Sequence, residues 1–137
     1  MSMLEILFTL NLILLSADHL FTGTLAMFFP MKAVKMYKNI FGAEIPETKE
    51  YLVILKPWGA LGIFAGLVGL LPIFDPKKYI MVLEALVILL LMRFIYRIKF
   101  QEEAAASLKL SKKRNLFHIG LILLCAMIMV IQIIQLS

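Results

Sequence analysis

The chain has one cysteine and two histidines in 137 residues, and only 17% of its residues are charged. A single cysteine, Cys125, excludes an intrachain disulfide and a dithiol redox centre. Two histidines with no clustered carboxylates fall short of a metal site. No glycine-rich loop precedes a helix to cradle phosphate, and Ser16, Asp18 and His19 lie too close on one helix to form a catalytic triad. Internal repeats and low-complexity tracts are also missing. Catalysis therefore has little to stand on, and no residue is assigned a catalytic role.

What the chain has in excess is apolar sequence: 62% of residues, with a mean hydropathy of +0.94. A soluble domain is nearer half apolar, and here the excess falls in long runs rather than stripes. Four runs can span roughly 30 Å of hydrocarbon at about 1.5 Å per residue: 4–29, 51–74, 79–100 and 116–136. Lipid offers the backbone no hydrogen-bond partner, and no strand-turn pattern suggests a barrel, so helix is the expected spanning form. The expected fold is all-α, a single integral membrane domain built as an antiparallel four-helix transmembrane bundle. The leader Met-Ser-Met-Leu-Glu lacks a basic segment, and no small-x-small site follows the first run, so a cleaved signal peptide is not expected.

The net charge of +5 indicates orientation rather than nucleic acid. Lys32, Lys35, Lys38, Lys49, Arg97, Lys99, Lys109, Lys112, Lys113 and Arg114 follow the first and third runs; only Lys77 and Lys78 mark the opposite side. The positive-inside rule then places the first and third loops in the cytoplasm and both termini outside, in the plasma (inner) membrane. Between Pro30, suited to a helix start, and Gly42, suited to a cap, Met31, Val34, Tyr37, Ile40 and Phe41 recur at helical spacing. This segment reads as a short cytoplasmic interfacial amphipathic helix. Lys32, Lys35 and Lys38, with Lys112, Lys113 and Arg114, face anionic headgroups. The third run is expected to continue as helix through Ala106, because Ala and Glu are strong helix formers.

Polar residues inside the runs carry the functional expectation. An ionised carboxylate near mid-membrane costs about 2.5–3.5 kcal/mol on the insertion scale, so Asp18 needs a partner or a cavity. With straight helices, Asp18 and His19 lie about 3–5 Å to the cytoplasmic side of the midplane, Arg93 about 7 Å, Lys56 about 9 Å and His118 about 12 Å. Glu84 lies about 7 Å on the other side, level with Asn11 and near Gln132. The ligand-binding or proton-handling candidates are thus Asp18, His19, Asn11, Lys56, Glu84, His118 and Gln132. His19 and His118 differ by about 7–8 Å in height, which argues against a bis-imidazole haem. Glu84 and Arg93 are nine residues apart and occupy opposite faces of one helix. With Glu84 inward, Arg93 and Arg97 snorkel to the headgroups, leaving Asp18 to pair with Lys56 or His118 or to take up a proton itself.

In the second run, Gly59, Gly62, Gly66 and Gly69 form one flat face suited to close helix packing. The order of parts resembles the DoxX-like group of small four-helix membrane proteins. The shared features are a first span ending Phe28-Phe29-Pro30, an interfacial segment ending Phe41-Gly42, the glycine-rich second span, and a close-coupled third span ending in Arg93. The acidic residue common in the second span of that group is absent, with Ile63 and Phe64 in its place. The group includes redox-linked subunits and membrane-protein accessory factors, so the resemblance implies a fold and no catalytic residue. The leading expectation is a non-catalytic accessory protein that binds a lipid-like molecule, a partner membrane protein or a second copy of itself. The alternative is a quinone-linked redox subunit, and the third is a proton-coupled transporter using Asp18 and Glu84.

Overall fold

The computed structural model describes residues 2–136, and among these the chain is helical with no strand. Helix α1 (Met3–Phe28) opens with a capping box: Ser2 Oγ accepts from Glu5 N–H, and the Glu5 carboxylate accepts from Ser2 N–H at 2.6 Å. Pro30 starts α2 (Pro30–Phe41), and Gly42 ends it with φ +70°, a left-handed cap that suits glycine. Thr48 caps α3 (Lys49–Gly69), which passes almost directly into the short α4 (Leu71–Phe74). After a turn held by Asp75 come α5 (Ile80–Lys99), α6 (Gln101–Leu108) and α7 (Lys112–Leu136).

Three helical stretches are long and apolar enough to cross a membrane: Met3–Phe28, Lys49–Phe74 and Lys112–Leu136. The third expected span folds as a 20-residue helix, α5, but Glu84, Arg93, Arg97 and Lys99 keep it out of that set. Nor does α5 run on through Ala106. The helix is interrupted at Phe100, and residues 101–108 form a separate helix, α6. The basic stretch after it is not only loop, since Lys112–Asn115 form the first turn of α7 and Asn115 is buried.

Packing depends on one glycine-lined seam and one apolar cluster. The glycines of α3 lie against the backbone of α1. A Cβ on Gly66 would stand 2.9 Å from Ser16 O, one on Gly59 2.6 Å from Gly23 O, and one on Gly69 2.7 Å from Ser16 Oγ. As numbers rise along α3 they fall along α1, so the two helices run antiparallel. Gly23 completes the seam from the α1 side, where a Cβ would meet Gly59 O and Ile63 N at 2.7 Å. Beside it, Phe8 and Leu12 of α1, Leu83, Leu86, Val87 and Leu90 of α5, and Ile122, Ala126 and Met129 of α7 make the core.

The surface inverts the usual soluble pattern. Leu14, Phe21, Phe64, Met81, Leu124 and Ile134 are exposed, while Asn11, Ser16, Asn115 and Gln132 are buried. A soluble monomer rarely exposes apolar patches larger than a few hundred Å². Large apolar side chains on the outside, with a few polar residues admitted to a mainly apolar interior, suit helices surrounded by hydrocarbon.

At one end the connections are tied together. Ser111 N–H donates to Phe41 O, Glu44 N–H to Leu108 O, and Arg114 Nη1 to Asn39 O at 2.7 Å. The first and third connections therefore share one end of the molecule, with Gly42 and Ser111 in contact.

Candidate functional site

The helical phase of α5 builds the site. Leu83, Leu86 and Leu90 face the core at spacings of three and four, and the same stripe continues through Arg93 and Arg97. Both arginines therefore turn inward. Glu84, next to Leu83, turns outward and is exposed. The two residues do lie on opposite faces, but the assignment expected from sequence is reversed: Arg93 does not snorkel, and Glu84 is not inside. The polar level expected to hold Asn11, Glu84 and Gln132 accordingly loses Glu84. It keeps Asn11, whose Nδ2 donates to Cys125 O at 3.2 Å, and buried Gln132, whose Oε1 has no protein partner.

Each arginine is held at one nitrogen. Arg93 Nη1 lies 3.0 Å from His19 Nε2, and Arg97 Nη1 donates to Asn115 Oδ1 at 2.7 Å. A guanidinium only donates, so His19 Nε2 accepts and its proton sits on Nδ1, 2.8 Å from Leu15 O. Asn115 Nδ2 donates back to Arg97 O at 3.4 Å. The Arg97 guanidinium also lies 4.8 Å above the Phe41 ring, which packs on His118 at 4.3 Å between ring centres. A guanidinium has five N–H donors, so both retain donors for a ligand.

Two cavities flank Arg93. The larger, about 760 Å³, is enclosed by α1, α2, α3, α5 and α7, and brings Asp18, Arg93, Arg97 and His118 to a lining otherwise rich in Leu, Ile and aromatic side chains. The smaller, about 610 Å³, lies between α1, α3 and α5 beside the glycine seam and is almost wholly apolar, with His19 and Arg93 at its polar edge. Thr22, Tyr37, Trp58 and Arg93 line both and form their shared wall. Both volumes fall in the range of roughly 300–1,000 Å³ common to small-molecule sites.

Asp18 and His19 are thus brought to adjoining cavities, and His118 to the larger one. Lys56 is exposed and lines neither, so it is not the partner of Asp18. Asp18 lines the larger cavity, is exposed, and makes no ion pair; among the described residues the one ion pair joins Lys109 to Glu44 at 2.6 Å. Its charge nevertheless reaches Tyr37, on α2. Burial first, then Asp18, holds that phenol above its ordinary range, while Arg93 opposes them. Among the described residues no group of three or more metal-ligating side chains gathers.

Sequence reasoning missed Arg93, Arg97, Asn115, Tyr37 and Trp58 as site residues. The Leu83-Leu86-Leu90 register does extend to both arginines, but apolar residues on every side of α5 leave the sequence alone no way to choose that face. No protein-family model, curated protein or solved structure matches the chain. The class defined by fold and site is a helical protein with three potential membrane-crossing helices around an amphipathic cavity.

Proposed function

We propose that the chain is a multi-pass membrane protein whose α1, α3, α5 and α7 cross the bilayer as an antiparallel four-helix bundle. In this reading α2 lies in the cytoplasmic interface, and both termini are outside. Its function is that of a non-catalytic accessory protein holding a lipid-like amphiphile, in keeping with the DoxX-like layout. One observation carries this reading: two arginines turn into an apolar-lined cavity opposite a carboxylate that has no partner. The charges of α5 are compatible with a fourth span, because Arg93 and Arg97 face the cavity while Glu84 lies one turn from the outer end of the helix. The exposed apolar girdle and the bias of Lys and Arg toward one end support the same arrangement.

A quinone-linked redox subunit is the second reading. It is favoured by Arg93, which has donors to spare on the wall shared by the two cavities, and by the Asp18 carboxylate lining the larger one. Native mass spectrometry of protein extracted in mild detergent, together with an absorption spectrum, tests both readings. A retained amphiphile that is lost in Arg93→Met/Arg97→Met supports the accessory reading. A bound quinone, or a flavin or haem band, selects the redox one. Wild-type protein that retains nothing overturns both.

A further inference from the structure

The larger cavity has a charge pattern as well as a volume, and that pattern narrows the ligand. Its permanent charges are Arg93 and Arg97, one helical turn apart on α5, and Asp18 on α1. Residues four apart on a helix have Cβ atoms about 5–6 Å apart, so two guanidiniums on one face can share the oxygens of a single phosphate. Each arginine commits one nitrogen to the protein, to His19 or Asn115, which fixes the fork while leaving donors unused. Asp18 is the remaining charge. It has no ion-pair partner, and Tyr37, which lines the same cavity, stands within reach of both its charge and that of Arg93.

A simple anionic amphiphile would satisfy the arginines and leave Asp18 unpaired and repelling it. A quaternary ammonium has no N–H to give a carboxylate, whereas a primary ammonium has three donors. The remainder of the lining is apolar, and the smaller cavity across the Tyr37–Trp58–Arg93 wall offers a second apolar space for chains. The depth also suits a headgroup, because Arg97 is two residues from the end of α5 and α2 lies over the cavity through Met36, Tyr37, Ile40 and Phe41.

Resting on the lipid-binding reading above, we propose that the cavity selects an aminophospholipid, with its phosphodiester on Arg93 and Arg97 and its primary ammonium on Asp18. The phosphate contacts supply affinity, and the carboxylate supplies the choice among headgroups.

Native mass spectrometry of the delipidated full chain, titrated with matched-chain phosphatidylethanolamine, phosphatidylglycerol and phosphatidylcholine, tests this. Phosphatidylethanolamine should bind at least about tenfold tighter than either competitor, the scale of one charge-assisted hydrogen bond. Asp18→Asn should abolish the preference and keep or raise phosphatidylglycerol binding, while Arg97→Gln should weaken all three. N-acetylated phosphatidylethanolamine, which keeps the phosphate and loses the ammonium, should lose the advantage on wild-type protein and needs no variant to fold. Equal binding of all headgroups, or an undiminished preference for the N-acetylated lipid, overturns the inference and leaves the lipid-binding reading standing. Absence of any binding above that of the annular lipid overturns both.

Discussion

Arg93 reaches across from α5 to place Nη1 3.0 Å from Nε2 of His19, a residue 74 positions earlier in the chain. The contact fixes the imidazole, because Nδ1 must then carry the proton that points at Leu15 O. Nitrogen-15 spectra of histidine-labelled protein should therefore show neutral His19 as the Nδ1–H form. Arg93→Met should release it to a mixture of tautomers. An Nε2–H signal in the wild type would mean that the two side chains do not meet.

The glycine seam makes opposed predictions at two glycines. At Gly66 any side chain runs into Ser16 O and Leu20, both on α1, so Gly66→Leu should lower stability by about 1–3 kcal/mol or more. Gly120 has nothing within 4 Å of an added Cβ, and Gly120→Ala should raise stability by roughly 0.5–1 kcal/mol through helix propensity. Melting in detergent reads both. Equal effects at the two sites would mean that the seam does not form.

The same two helices show how far sequence carries. Gly59, Gly62, Gly66 and Gly69 were legible as a packing face, because small residues at heptad spacing have few other uses in a greasy helix. Their partner was not, since Ser16 and Gly23 on α1 are ordinary residues until α3 lies against them. Pro30 and Gly42 mark the ends of α2 by backbone chemistry alone. The inward turn of Arg93 was hidden by the apolar sequence on every side of α5, which gives periodicity no contrast from which to choose a face. Nine-residue spacing separated Glu84 from Arg93 correctly, and only the neighbouring helices decided which one was inside.

Orientation is tested from the loops. In a Cys125→Ala background, Ser2→Cys should react with an impermeant thiol reagent on intact cells and Ser111→Cys should not. The reason is that the basic residues gather at the end where Ser111 meets Gly42. Labelling of Ser111→Cys from outside would reverse the topology.

At that same end, Lys109 and Glu44 form an exposed pair. The hydrogen bond and charge of Lys109 hold the Glu44 carboxyl below its ordinary 4.5, and Glu44 in turn holds the ammonium above 10.5. The lowered carboxyl contributes above pH 4.5, and that contribution is lost as pH falls through its folded value. The raised ammonium contributes below 10.5 and is lost as pH rises through its own. Between these limits the pair is intact, but both side chains are well solvated and its effect on melting should be small. Carbon-13 titration should find Glu44 below its ordinary value, returning to it in Lys109→Met. No difference between the two proteins would show the pair absent in solution.

Asp18 is the residue on which structural and functional roles give opposite outcomes. If it were half of a buried ion pair, Asp18→Asn would strand a charge and cost about 3–5 kcal/mol. No ion pair forms at Asp18: the bonded nitrogens of Arg93 and Arg97 go to His19 and Asn115, and Lys56 lies outside the cavity. The substitution keeps the size of the side chain and removes a costly charge, so stability should stay within about 0.5 kcal/mol or rise while the preference for a primary-ammonium headgroup is lost. Tyr37 supplies a local control, because the Asp18 charge is the second cause of its raised phenol, after burial. Ultraviolet titration of Tyr37, isolated by difference against Tyr37→Phe, should move partway back toward 10.0 in Asp18→Asn and no further, since burial persists. A large loss of melting temperature with an unmoved Tyr37 would make Asp18 a structural residue and remove the carboxylate from the site.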